Sequence, residues 1–207
     1  MNIILDNTGK KFNTEWIFRN LSHTFEQGTS SAILGKNGSG KSTLLRVISG
    51  NMLATSGIVK YSEDNHEIDP AGIFSFLSIV APYQELIEEF TLSEMLKFHF
   101  SFKQLFHGYS LSDVLELLGL KNTGSKSLKL FSSGMKQRVK IILALLSATP
   151  ILLLDEPTNN LDQAGIDWYL DLVNKFSNGR TIIVCSNLQQ QETSFCTQTL
   201  LIEDYKQ

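Results

Sequence analysis

Residues 31–49 of this 207-residue chain read SAILGKNGSGKSTLLRVIS. A short apolar run, a glycine-rich turn and a run with helical spacing follow one another, which predicts a strand, a loop and a helix. The turn fits the pattern G-x-x-x-x-G-K-[ST], in which glycines let successive backbone N–H groups point inward at phosphate oxygens. Chance produces this pattern in about one chain of this length in a hundred. The stretch therefore predicts a site for a nucleoside triphosphate with Mg²⁺.

Two side chains of the turn have tasks of their own. Lys41 supplies positive charge for the β- and γ-phosphates, and the Ser42 hydroxyl is placed to bind Mg²⁺. The helix that begins near Lys41 adds the positive end of its dipole at the same point. The nucleotide-binding residues predicted here are Gly35, Lys36, Asn37, Gly38, Ser39, Gly40, Lys41, Ser42 and Thr43.

A second stretch, ILLLDE at residues 151–156, ends an apolar strand in two carboxylates, and Pro157 stops the strand at once. Such a strand is buried, and its acids emerge at the sheet edge where α/β proteins bind ligands. Asp155 is predicted to hold Mg²⁺ directly or through a water, and Glu156 to polarise the water that attacks the γ-phosphate. Taken alone, two acids at a strand end more often mark a solvated edge. The phosphate loop in the same chain reverses that preference.

Composition and charge limit the class of protein. A net charge of −3 and 42% hydrophobic residues indicate one globular domain and argue against a general nucleic-acid coat. No apolar run approaches the roughly 20 residues of a membrane span, and the N-terminus does not read as a signal peptide. Cys185 and Cys196 are predicted to be reduced, buried thiols, and no Cys/His cluster suggests zinc.

Strands alternate with helices along the chain, which predicts an α/β fold with a largely parallel sheet. Strands are predicted at 2–8, 22–27, 30–34, 58–61, 73–80, 151–154, 181–184 and 199–202, and helices at 43–49, 135–148 and 163–177. Two further segments with helical periodicity make residues 84–135 a mostly helical insertion. A GTPase is disfavoured because no guanine-reading NKxD segment follows the acidic strand.

Between the phosphate loop and the acidic strand stands FSSGM, residues 131–135, before an apolar helical run. Alone it reads as an ordinary serine helix cap. With its neighbours it resembles the LSGGQ-type signature of the nucleotide-binding domain of ABC (ATP-binding cassette) ATPases. The resemblance covers essentially the whole chain. It implies a P-loop NTPase fold with a mostly parallel core sheet, an N-terminal antiparallel β subdomain and an inserted α-helical subdomain, within a single domain over 1–207. Residues 1–83 and 136–207 form the core, and 84–135 form the helical subdomain.

The resemblance also implies roles for residues outside the two motifs. Gln84 matches the Q-loop glutamine, which contacts Mg²⁺ or the attacking water. Asp162 occupies the acidic position of the D-loop. Phe12 matches the aromatic residue that stacks on adenine, although Trp16 is a rival and a plain core role for Phe12 is nearly as good an explanation. In the signature, Ser132, Ser133 and Gly134 are the residues that close over the γ-phosphate held by a second subunit.

Two departures from the family pattern stand out. Asn187 occupies the position of the switch histidine, and all four histidines of the chain lie upstream of the signature. Asparagine can donate a hydrogen bond to the γ-phosphate but cannot carry charge, so hydrolysis is predicted to be slower than in a histidine-bearing relative. Ser133 replaces the first signature glycine and Met135 replaces glutamine. We expect these changes to weaken the contact of the signature with the γ-phosphate held by the second subunit, without removing it.

The resemblance implies an ATPase subunit that works as a head-to-tail dimer of identical chains and drives a separate transmembrane transporter subunit. It would lie in the cytoplasm at the inner face of the membrane, with no nucleic-acid partner. The docking groove would lie on the helical lobe, where KFHFSFKQLF (97–106) is either the contact or, as the periodicity favours, lobe core. Two alternatives stay open: a non-transport ABC ATPase, disfavoured by the lack of a tandem cassette, and a weakly hydrolysing regulatory module.

Overall fold

The computed structural model describes residues 1–64, 66–120, 122–187 and 191–206. Along these ranges three strands, one α-helix, three strands, three α-helices, one strand, one α-helix and two strands follow one another. The strands are β1 (Asn2–Phe12), β2 (Glu15–Phe25), β3 (Ser30–Leu34), β4 (Ser56–Glu63), β5 (His66–Ile68), β6 (Leu77–Val80), β7 (Ile151–Asp155), β8 (Thr181–Ser186) and β9 (Gln198–Leu201). The α-helices are α1 (Lys41–Ile48), α2 (Leu92–Phe102), α3 (Leu111–Leu118), α4 (Ser133–Leu145) and α5 (Gln163–Phe176).

A five-stranded parallel sheet forms the centre of the molecule, with the strand order β6-β7-β8-β3-β9. Every residue of β7 and β8 is buried, which explains why both strands read as continuous apolar runs in the sequence. Because the strands are parallel, the carboxyl ends of β3 and β7 lie at one edge with β8 between them. The glycine-rich turn after β3 and the acids that end β7 are thereby brought to the same edge.

An antiparallel sheet with the order β2-β1-β4-β5 packs over one side of this centre. Its apolar face joins α1 and part of the parallel sheet in one hydrophobic cluster, while α4, α5 and the helices after β6 form the other cluster. The predicted fold class is confirmed. The strands β1 and β2 are each 11 residues long, well beyond the predicted 2–8 and 22–27. At their hairpin ends polar residues stand beside Phe12, Trp16, Ile17 and Phe18, and the sequence analysis did not extend the two strands through these mixed segments.

The strand predicted over 73–80 is wrong in its first half. Residues Pro70–Ser75 form a 3-10 helix, capped by Asp69, whose carboxylate accepts a hydrogen bond from the Ala71 backbone N–H at 2.9 Å. Only Leu77–Val80 pairs with β7. Proline at the first helical position and the aspartate cap favour the helical turn over the apolar run that follows them.

The segment between β6 and α4 contains α2 and α3, and both begin with reciprocal capping boxes, Thr91 with Glu94 and Ser110 with Asp113. Trp168 of α5 donates from its indole N–H to the Leu117 carbonyl at 2.8 Å, which ties α3 to the core. None of the helices in the described ranges has the length and apolar character needed to cross a bilayer.

The phenylalanine-rich stripe at 97–106 is divided between two environments. Phe100 and Phe106 pack against the core, as the periodicity favoured. Phe98 and Phe102 stand one helical turn apart and are 42% and 76% exposed, so the preference for a core role is wrong for these two. Their spacing of four residues places them on the same face of α2.

Candidate functional site

The glycine-rich turn encloses a cavity of about 230 Å³ between β3 and α1. Gly38 and Gly40 have positive φ angles of 76° and 109°, which side chains rarely tolerate. A Cβ atom on Gly40 would lie 2.6 Å from the Cγ2 atom of Ile17, so the turn also needs glycine for close packing against β2. The cavity is lined by Ile17, Asn37, Gly38, Gly40, Lys41, Ser42, Thr43 and Glu156.

Lys41 is buried and folded back over the turn. Its Nζ donates to the carbonyl oxygens of Gly35 at 2.8 Å and Lys36 at 3.0 Å, and it lies 3.9 Å from Oε1 of Glu156. The ammonium group is therefore held at the mouth of the cavity by neutral acceptors and by one carboxylate across it. A phosphate oxygen is a stronger acceptor than a backbone carbonyl, so this arrangement suits an incoming anion.

Asp155 ends β7 and is fully buried beside Ser42. Neither carboxylate oxygen meets hydrogen-bond criteria with any described residue. Burial raises the pKa of Asp155, and the neighbouring Ser42 hydroxyl opposes that rise. Free carboxylate oxygens next to a hydroxyl form a donor set for a hard cation, so these residues fit Mg²⁺. The described part of the chain has no group of three or more His, Cys, Asp or Glu side chains that could hold a metal alone, so water and phosphate oxygens would complete its coordination.

Glu156 has a backbone conformation that is rare outside glycine, with a φ angle of 46°. Such strain costs about 1–3 kcal/mol and persists where neighbouring contacts fix it. Here the Glu156 N–H donates to the Cys185 carbonyl at 2.9 Å, and the Asn159 side-chain amide donates to Oε2 at 2.7 Å. The contacts aim the other oxygen, Oε1, at Lys41. The sequence analysis missed Asn159, although the polar turn directly after the two acids was a signal for it.

The signature residues lie apart from this cavity. Ser132 caps α4, with its hydroxyl accepting from the Met135 N–H at 3.2 Å, and both Ser132 and Ser133 are exposed. A Cβ atom on Gly134 would lie 2.8 Å from the Asn160 carbonyl oxygen, so the glycine permits a close approach of α4 to the turn after Glu156. None of the three residues lines the phosphate-loop cavity.

Other predicted site residues make contacts within their own segments. Gln84 accepts from the Ala81 N–H at 3.1 Å and lines a neighbouring groove, not the phosphate-loop cavity. Asp162 caps α5 by accepting from the Gly165 N–H at 2.8 Å. Asn187 follows β8 directly and is half-buried. The structure thus brings Lys41, Ser42 and Glu156 to one cavity, with Asp155 buried beside Ser42, and leaves Gln84, Ser132 and Asp162 outside that cavity.

The two candidates for adenine stacking lie at the end of the β1–β2 hairpin. Phe12 is 46% exposed, while Trp16 is half-buried and packs closely over Gly9. Neither lines the cavity, whereas Ile17 of β2 does. The sequence analysis missed Ile17. The available signal was that neighbouring residues of a strand point to opposite faces of the sheet. Ile17 lies next to Phe18, which is buried, so Ile17 faces the other side.

Comparisons with known proteins agree with this arrangement. The family described as ABC transporter matches residues 18–159. An uncharacterised ABC transporter ATP-binding protein of Bacillus subtilis, YybJ, is 33% identical over 191 residues, covering 92% of this chain and 87% of the relative. The lantibiotic transport ATP-binding protein SrtF of Streptococcus pyogenes is 33% identical over 190 residues, covering 89% and 79%. The dimeric structure of the bacterial ABC transporter cassette MJ0796 superposes with a TM-score of 0.80 and 25% identity, covering 97% of this chain and 95% of that one.

Proposed function

Because this chain belongs to the ABC transporter family of ATP-binding proteins, we propose that it binds ATP with Mg²⁺ and hydrolyses it to drive a membrane transporter. The observation that carries the proposal is the pairing of Lys41 with Glu156 across one cavity, with Nζ and Oε1 3.9 Å apart. A cation for the phosphates and a carboxylate for the attacking water are the two groups that this reaction requires.

The residues at the cavity have separate roles in ATP binding and hydrolysis. The backbone N–H groups from Gly38 to Thr43 bind the phosphate chain, and Lys41 exchanges the Gly35 and Lys36 carbonyls for phosphate oxygens. Ser42 and Asp155 hold Mg²⁺, which when bound offsets the negative charge of the phosphates. Glu156 accepts the proton of the attacking water at Oε1, because Asn159 engages its other oxygen.

The remaining residues complete the site from its edges. Asn187 donates a hydrogen bond from its side-chain amide to the γ-phosphate, and Gln84 turns from Ala81 toward the metal and the attacking water. The base stacks on Phe12 or Trp16, and Ile17 packs against the nucleotide. Each of these roles requires movement or contact that depends on bound ATP.

A second copy of the chain supplies the missing face. Ser132, Ser133 and Gly134 lie on an exposed helix start away from their own cavity, so a head-to-tail dimer would place them over the partner's γ-phosphate. Asp162, at the start of α5, would lie at the same interface. The solved dimeric structure of the cassette MJ0796 supports a dimer for this chain. In such a dimer, residues 84–135 form the helical subdomain that presents the signature to the partner.

The membrane subunit would dock in a groove between β6 and α2. The groove is lined partly by Phe74, Leu77, Met95, His99 and Lys103, and Phe74 is 66% exposed at its rim. The exposed Phe102 extends the apolar surface along α2. Apolar surface rimmed by polar groups is typical of protein docking sites. The name of the relative SrtF, a lantibiotic transport ATP-binding protein, supports a transport role for this protein. Such a role would place it at the cytoplasmic face of a membrane.

The proposal is tested by calorimetry with Mg²⁺ and ATP together with a phosphate-release assay. Lys41→Ala is expected to weaken ATP binding at least about 100-fold because it removes the buried cation. Glu156→Gln is expected to retain binding and to lose about 100-fold or more in turnover, as removal of a general base does. Lys60→Ala, an exposed lysine on β4, is the control and should change neither quantity. Folded wild-type protein that takes up no ATP, or a Lys41→Ala variant that binds normally, would contradict the proposal.

A weakly hydrolysing regulatory module is the second candidate, favoured by Asn187 in the switch position. Such a protein would use ATP binding, and not turnover, to change its shape. The two candidates differ in one comparison. If wild type and Glu156→Gln bind ATP equally and release phosphate at the same low rate, the regulatory function replaces the transport-coupled ATPase.

A further inference from the structure

Glu192 is a buried carboxylate that contacts the turn after β7 and the end of β8. It is 1% exposed. Its Oε1 accepts from the backbone N–H of Thr158 at 3.0 Å and from the Thr158 hydroxyl at 2.5 Å. Its Oε2 accepts from the Ser186 hydroxyl at 2.6 Å. One side chain therefore connects two segments that are 28 residues apart in the sequence.

Each of these segments carries a residue that faces the γ-phosphate in the proposed reaction. Thr158 lies two residues after Glu156 and next to Asn159, which holds the Glu156 carboxylate. Ser186 is the last residue of β8 and immediately precedes Asn187. The link through Glu192 runs beside the backbone hydrogen bond from Glu156 to Cys185. The base and the switch residue are thus connected by main chain and by one carboxylate.

Stability alone gives little reason for a carboxylate at this position. No Lys, Arg or His side chain in the described ranges forms an ion pair with Glu192. A buried acid without a cation is costly, and an apolar residue of similar size commonly serves a fold as well or better. Its three hydrogen bonds instead fix the direction of both oxygens, and thereby the spacing of the two segments.

We infer that Glu192 is a positioning residue for ATP hydrolysis, which sets Glu156 and Asn187 at a fixed separation across the γ-phosphate. The inference rests on the proposed ATPase function and adds a residue to it. Glu192 itself touches neither nucleotide nor water in this scheme. Its effect is therefore expected on turnover, which depends on alignment at the reacting atoms, and not on the affinity of the phosphate loop for ATP.

Two threonine substitutions test this with closely matched changes. Thr158→Val removes the hydroxyl that donates to Glu192, while Thr181→Val removes a buried hydroxyl at the opposite end of β8, where it donates to the Met1 carbonyl at 2.7 Å. Both replacements keep the side-chain shape. Thr158→Val is expected to lower kcat about tenfold with the KM for ATP within about twofold, and Thr158→Ser to restore most of kcat. Thr181→Val should leave both constants near wild type.

Glu192→Gln sharpens the test because it keeps the shape and one acceptor oxygen. It is expected to lower kcat about as much as Thr158→Val, and the double variant should be no slower than the slower single one, since both changes break the same link. Equal kcat values for Thr158→Val and Thr181→Val, or multiplicative losses in the double variant, would overturn the inference. If wild type itself binds ATP but releases no phosphate, the proposed ATPase fails, and the inference falls with it.

Discussion

The phosphate-loop face and the signature face of this protein are built in opposite ways. At the phosphate loop, β3, β7 and β8 converge and bury Lys41 and Asp155, and contacts within the chain fix Glu156. At the signature, Ser132 and Ser133 are exposed, and Gly134 closely approaches Asn160 of the same chain. The first face is preorganised for an anion and a metal. The signature face exposes hydroxyl and backbone N–H groups that an approaching molecule could contact.

The difference separates binding from turnover. The buried face has the charges that recognise a nucleotide, so we expect one chain to suffice for ATP binding. The exposed face lies apart from its own cavity, so we expect it to contribute only when another copy approaches. We therefore expect substitution of Lys41 on the first face to change affinity, whereas substitutions on the second face should change turnover alone.

The largest expected effect comes from mixing two inactive variants. Lys41→Ala disables the phosphate loop, and Ser133→Glu places a negative charge where the partner's γ-phosphate would lie; each alone should lose nearly all turnover. A mixture forms dimers with one intact composite site, so about a quarter of wild-type turnover should return. Ser133→Glu must still bind ATP like wild type in calorimetry. A mixture no more active than its components would exclude a site shared between two chains.

Asp155→Asn is expected to have two effects of opposite sign, a small gain in thermal stability without metal and a loss of turnover with metal. Without metal, the neutral amide relieves a buried carboxylate that burial disfavours, so Tm should rise by about 2–4 °C, which corresponds to roughly 1 kcal/mol in a chain of this size. With Mg²⁺ and ATP, phosphate release should be lost. Thermal unfolding with and without Mg²⁺ measures the change in Tm, and a phosphate-release assay measures the loss of turnover. The exposed Asp171→Asn is the control in both measurements. If Asp155→Asn has a lower Tm than the wild type without metal, the buried carboxylate does not destabilise the metal-free protein.

The smallest expected effect is that of Asn187→His. Histidine reaches farther than asparagine and can carry charge, so it should raise kcat a few-fold while the KM for ATP stays unchanged. Steady-state phosphate release at saturating ATP measures this, with the wild type assayed in parallel. A kcat that is unchanged or lower in Asn187→His would show that asparagine does not limit hydrolysis in this chain.

The sequence predicted the fold class and the two acids and the lysine of the buried face because these lie in short, contiguous motifs. The strands β3 and β7 and the helix caps at Thr91 and Ser110 follow from local patterns of the same kind. The sequence analysis failed where position depends on distant parts of the chain. It began a strand at residue 73, inside the 3-10 helix at Pro70–Ser75, and favoured a core role for Phe98 and Phe102.

The sequence alone determined the chemistry of the phosphate loop and of the end of β7. A glycine turn, a lysine and two carboxylates have chemical properties that belong to the residue types themselves. Only the tertiary structure decided which groups face one another. The parallel sheet sets Lys41 opposite Glu156, the antiparallel sheet brings Ile17 of β2 against Gly40, and the segment after β8 places Glu192 in contact with Thr158 and Ser186. These contacts join residues far apart in the chain, and burial and strand order, which no local pattern encodes, fix their distances.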